Sequence, residues 1–108
     1  MKDWCNTHWT DNGATVWIAE LLAFLGDDVI DLKISDISRR TVIVDQDRVV
    51  AANLNYPVIV VKSKGRYQYV LDGNHRVQQA IDKDKETIKA KVLDLDSSRT
   101  PKKYKKVF

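Results

Sequence analysis

The run Pro57-Val58-Ile59-Val60-Val61-Lys62 constrains the fold more than any other part of this chain. Four consecutive β-branched residues favour a strand over a helix. Successive strand side chains point to opposite faces, so a strand apolar at every position must be covered on both. The run therefore predicts a central strand in a layered α/β domain. A chain of 108 residues fits one such domain, spanning 1–108.

Around that strand the order of elements is readable. Ser63–Arg66, with Gly65, reads as a hairpin turn, and Tyr67–Leu71 as the returning strand with Tyr67 and Tyr69 on one side. After Asp72-Gly73, the apolar positions Val77, Ala80 and Ile81 predict a helix to about Lys83. Ile88–Leu95 predicts the last strand. Upstream, Val29–Ile37 alternates as a half-buried strand does, and Asp45 is a good N-cap for a helix over Gln46–Leu54. The expected fold class is thus a small mixed sheet with flanking helices.

The two ends read differently. Met1–Asn12 shows no period and is expected to be irregular. Ala14–Leu25 reads as a helix, capped by Asp11, Asn12 or Thr15 and stopped by Gly26. Val16, Trp17, Ile18, Leu21, Leu22, Phe24 and Leu25 surround it, so residues 1–28 are expected to form a helical addition with two apolar faces. One face would dock on the sheet and the other on a partner, a second copy or a host protein, with Trp17 or Phe24 near the centre of a homodimer. From Arg99 to Phe108 there are five cations (Arg99, Lys102, Lys103, Lys105, Lys106) and no acid. This basic tail, residues 97–108, is either a solvated terminus or an arm for DNA.

Composition excludes several classes. At 44% hydrophobic and 31% charged residues the chain is neither disordered nor fibrous. Its longest apolar stretch is interrupted by Glu20 and too short to cross a bilayer, and no secretory signal opens the chain. A single cysteine, Cys5, cannot form an internal disulfide, so a cytoplasmic location is expected. Cys5 and His8 have the spacing of two metal ligands, but a zinc site needs about four. Trp4, Trp9 and Trp17 could stack on bases or serve as core anchors.

The chemistry concentrates at Asp72-Gly73-Asn74-His75-Arg76. A strand that runs into a helix through a glycine brings free backbone N–H groups to one point, and the helix dipole favours an anion there. His75 and Arg76 are cations at the helix end where stability alone disfavours them. A bound phosphate removes that conflict, with Arg76 as a bidentate fork. Asp72 could cap the helix or hold a metal ion or a ribose hydroxyl. Equally, Asp72 could be a plain cap and His75-Arg76 a solvated pair.

The stretch from Asp45 to Leu93 resembles the ParB N-terminal/sulfiredoxin superfamily. The resemblance rests on the apolar strand, the hairpin, and a second strand entering a Gly-X-His-Arg turn before a helix and closing strand. It implies a nucleotide site for ATP or CTP with Mg²⁺, in which Gly73, Asn74, His75 and Arg76 take the phosphates. Arg48 falls on the family's helical basic residue, whereas Ala51 and Asn55 stand where sulfiredoxins carry hydroxyls. Asn74 stands in place of the sulfiredoxin cysteine, so the chain has no thiolate there for sulfinic-acid repair. A free-serine kinase branch places a glutamate after its first strand, where this chain has Ile37-Ser38-Arg39-Arg40-Thr41. That loop is more similar to ParB, with Arg40 toward the nucleotide, although a chain of this length leaves no room for ParB's DNA reader and dimerisation domain. The resemblance implies the nucleotide module alone, as in small phage and other mobile-element proteins. It would act as a phosphotransferase, NTPase or nuclease, with His75 and Asp72 catalytic and Asp72 on the metal. The alternative is a non-catalytic module that binds DNA or a host protein.

Overall fold

The computed structural model describes residues 7–37 and 45–108. At its centre lies β4 (Val58–Ser63), whose first four residues are all buried. Val58 and Val60 face one hydrophobic cluster, while Ile59 and Val61 face another on the opposite side. Both faces of the apolar run are covered, as its sequence requires.

The sheet has four strands. β3 (Ile30–Lys33), β5 (Arg66–Asp72) and β6 (Thr87–Asp94) join β4 in the order β3-β6-β4-β5. β4 pairs antiparallel with β5 and parallel with β6, and β3 pairs antiparallel with β6. The parallel pair needs a crossover. It is supplied by α3 (Asn74–Asp82), which places Val77 and Ala80 on the sheet beside Val58, Val70, Ile88 and Ala90. α2 (Gln46–Ala51) lies against α3, joined to it by Gln79, whose Nε2 donates to the carbonyls of Val49, Val50 and Ala52. That buried amide satisfies the end of α2, which explains why the helix stops before the expected Leu54. β3 is also shorter than the expected Val29–Ile37, because Ile34–Asp36 turns into a 3-10 helix and Ile34 N–H bonds to Glu86 O.

Two bulges change the facing of β5. Val61 pairs with Tyr69 but Lys62 with Tyr67, leaving Gln68 over; Ile59 pairs with Asp72 but Val60 with Val70, leaving Leu71 over. Each extra residue re-aims the side chains beyond it. Tyr67 consequently packs against the α3 side and Tyr69 against the other, not on one side together.

The chain ends build the second face. His8–Asp11 and Ala14–Trp17 form a hairpin, β1 and β2, where an irregular segment and the start of a helix were expected. Asn12 and Gly13 make the turn with φ of 50° and 77°, the pair of positive dihedrals that a two-residue hairpin demands. α1 therefore begins only at Ile18 and runs to Leu25, with Trp17 N–H bonded to Glu20 Oε1 at 2.8 Å. Val16, Ile18 and Leu21 are buried, and Leu22 and Leu25 partly so. Trp17 and Phe24 stay 46% and 39% exposed, yet each has an aromatic partner within the chain, His8 and Tyr104. α1 thus docks with one face on the sheet and leaves Phe24, and Trp17 at its start, partly exposed. The basic tail is ordered: Lys102–Val107 forms α4, docked by the buried Tyr104, while its lysines stay exposed. No helix among the described residues is long and apolar enough to cross a membrane.

Candidate functional site

β5 ends at Asp72, and Gly73 turns the chain into α3 with φ of 105°. The first helical bond runs from Val77 N–H to Gly73 O at 3.0 Å. The N–H groups of Asn74, His75 and Arg76 precede it, and among the described residues no side chain caps them. The turn thus gathers three backbone amides at the start of α3.

Gly73 is required by packing as well as by dihedral. A Cβ at this position would lie 2.6 Å from Val58 Cγ1 and 3.0 Å from Val58 Cβ. The glycine lets the start of α3 settle onto β4, which fixes where the three amides point.

Arg76 is held by the protein itself. Its Nη1 donates to Tyr56 O at 3.1 Å and Pro57 O at 2.7 Å, and its Nη2 to Asp72 Oδ2 at 3.0 Å. Three of its five N–H donors are thereby engaged, and its side chain is 19% exposed. Asp72 is not the cap of α3; Gly73 occupies that position and Asp72 pairs with Arg76. The Asp72 carboxylate remains 42% exposed. His75 accepts the Asp45 N–H at Nε2, 3.3 Å away. Asp45 in turn caps α2 by accepting from Asp47 N–H at 3.0 Å, as the sequence predicts. His75, partly buried, links the first turn of α3 to the start of α2. Arg48 lies in α2 with an exposed side chain. Arg40 falls outside the described residues, as do Trp4 and Cys5.

The donor set fits an anion. Three amides, the remaining Arg76 donors and a positive helix end can meet a phosphate. The fit to a cation is narrower: among the described residues no group of three His, Cys, Asp or Glu side chains gathers. Mg²⁺ tolerates this, since it is often held by one or two carboxylates plus substrate phosphates, and Asp72 would be the protein's contribution.

Gln79 escaped the sequence reading because only apolar periodicity was followed there. It lines a cleft of about 420 Å³ with Ala51, Asn53, Leu54, Asn55 and Lys83. Ala51 and Asn55, the two departures from the sulfiredoxin pattern, both face this cleft. A second cleft of about 400 Å³ lies elsewhere, among Phe24, Ile30, Lys62, Tyr67, Asp94 and Arg99.

No family model matches the sequence, and no curated protein does. Among solved structures the chain is similar to sulfiredoxin from Arabidopsis thaliana. The two are 25% identical with a TM-score of 0.53, over 62% of this chain and 85% of that one. The chain carries a mixed α/β fold of the ParB/sulfiredoxin type.

Proposed function

We propose that this ParB/sulfiredoxin-like domain binds a nucleotide, ATP or CTP, through its phosphates at the start of α3. The observation that carries the reading is the amide cluster of Asn74, His75 and Arg76 behind Gly73, uncapped among the described residues. Backbone amides at a helix start are fixed dipoles that meet an anion without reorganising. Arg76 adds charge through its two remaining donors, and Arg48 is exposed on α2, which packs against α3. Mg²⁺ bound to the phosphates would neutralise further charge, with Asp72 as its protein ligand. Any phosphoryl chemistry at such a site is electrostatic, since Asn74 offers no nucleophile. His75 would serve as acid or base through the nitrogen that Asp45 leaves unengaged.

The test separates binding from folding. Thermal shifts would be measured with ATP, CTP and inorganic triphosphate, with and without Mg²⁺. A ligand at about 100 times its Kd stabilises by about 2.7 kcal/mol. Asn74→Asp puts a negative charge at the first helical position, which favours the free protein by about 0.3–1 kcal/mol. The same charge repels phosphate, so the variant is expected to keep or raise its Tm and lose the ligand shift. A wild-type Tm unmoved by all three ligands at millimolar concentration overturns the reading.

A further inference from the structure

The docked tail has a consequence separate from the α3 site. α4 turns by about 100° per residue, which divides its cations between two faces. Lys103 shares a face with Tyr104 and Val107 and is tied to Glu20, with Nζ 2.8 and 3.0 Å from the two carboxylate oxygens. Lys102, Lys105 and Lys106 stand three and four residues apart on the opposite face, all exposed. Like charges at that spacing oppose the helix. The helix is held regardless, because Tyr104 is buried, Asn12 Nδ2 donates to Lys106 O at 2.7 Å, and Phe108 packs edge-on against Trp9.

The charge continues beyond α4. Asp96 accepts the N–H groups of Lys64 and Gly65, each at 3.0 Å, and so ties the β4–β5 turn to the segment leading into α4. Thr100 Oγ1 donates to Asp94 O at 2.6 Å and anchors the same segment. Lys64, Arg66 and Arg99 are exposed in this region. Asp96 lies against Lys64 through that turn, and Asp94 and Asp28 line a cleft with Arg99. Asp96 is held below the usual carboxylate range chiefly by the Gly65 and Lys64 amides, with Lys62 and Lys105 adding to the effect.

We propose that the Lys102–Lys105–Lys106 face of α4, extended by Lys64, binds the phosphate backbone of a nucleic acid. A densely charged polyanion is the complement of clustered, exposed ammonium groups, and it relieves their mutual repulsion. An anionic membrane is the poorer match, because Tyr104 is buried and Val107 and Phe108 pack partly buried on the second cluster, so the lysine face itself carries no apolar side chain to insert. The contacts are to phosphate, so binding is expected to be indifferent to sequence.

Fluorescence anisotropy with a short mixed-sequence DNA duplex tests this. With about three lysine contacts, log affinity falls against log salt with a slope near −2.7, about a 40-fold loss between about 50 and 200 mM salt. Replacing Lys102, Lys105 and Lys106 together by Gln is expected to weaken binding more than tenfold at the lower salt and flatten the slope. Lys103→Gln is the control, since its side chain is turned toward Glu20, and it is expected to leave the slope unchanged. Circular dichroism confirms that α4 remains in both variants. No binding at about 50 mM salt, a triple variant that binds as wild type, or tighter capture by phosphatidylserine vesicles than by DNA overturns the proposal.

Discussion

The two faces of the sheet are built from different kinds of chain. On the α3 side, β4, β5, α3 and β6 follow one another from Val58 to Asp94 and supply most of the buried layer, joined by Leu32 and Ile37 from β3 and the turn after it. On the other side, Val16, Ile18 and Leu21 from one end of the chain meet Tyr104 from the other, with Ile59, Val61 and Leu93 beneath. The first layer closes mainly between neighbouring segments, whereas the second brings together segments about a chain length apart. The difference teaches where function and tolerance should divide. The contiguous layer carries the amide cluster, and the layer made of the two ends carries the lysine face.

The largest expected effect breaks the second layer. Tyr104→Ala removes the side chain that docks α4 and is expected to cost about 3–5 kcal/mol, by analogy with other buried aromatic truncations. Gly73→Ala attacks the first layer, where the added methyl meets Val58 and the backbone must keep a φ of 105°. Strain and overpacking together predict a loss of about 3 kcal/mol. Urea unfolding of the single and double variants measures both. If the layers are separate, the losses add within about 0.5 kcal/mol, and Tyr104→Ala spares the ligand shift at α3. A large coupling energy would mean that β4 transmits one layer's packing to the other.

The same division explains what could be read from the sequence. Val58–Val61 announced a doubly covered strand, and Asp45 and Gly73 marked true element boundaries, because those signals are local. The box Asp72–Arg76 was correctly placed between strand and helix. Its internal wiring was not legible, since the partners of Arg76, Tyr56 and Pro57, are set by tertiary approach. Tyr67 and Tyr69 were separated by a bulge that no alternation pattern reveals. At the N-terminus, Asn12-Gly13 was a hairpin signal read instead as a helix cap, because the apolar run beyond it dominated. The helical order of the tail was hidden for a related reason. One aromatic residue, Tyr104, decides whether Lys102, Lys103, Lys105 and Lys106 lie on a free arm or on a docked helix, and composition gives that residue little weight.

The smallest expected effect sharpens the comparison at the seam of the second layer, where Glu20 meets Lys103. Glu20 lies below the usual carboxylate range, chiefly because Lys103 donates to it, then because Trp17 N–H does, with partial burial working against both. A carboxylate whose pKa is depressed by folding contributes stability above its unfolded value, about 4.3, and loses that contribution as pH falls through the folded value. Both side chains are more than a third exposed, Lys103 at 42% and Glu20 at 35%, so screening limits the pair to about 0.2–1 kcal/mol. Asp96 is lowered as well and titrates in the same acid window, so the wild-type pH profile alone cannot isolate the pair. Glu20→Gln can, because the amide oxygen still accepts from Trp17 while the charge is gone. The variant should be slightly less stable than wild type at about pH 7, and the two urea midpoints should converge as pH falls toward about 3. A gap that stays constant across that range would mean that the layer is held by Tyr104 and its apolar neighbours, with the ion pair an incidental surface contact.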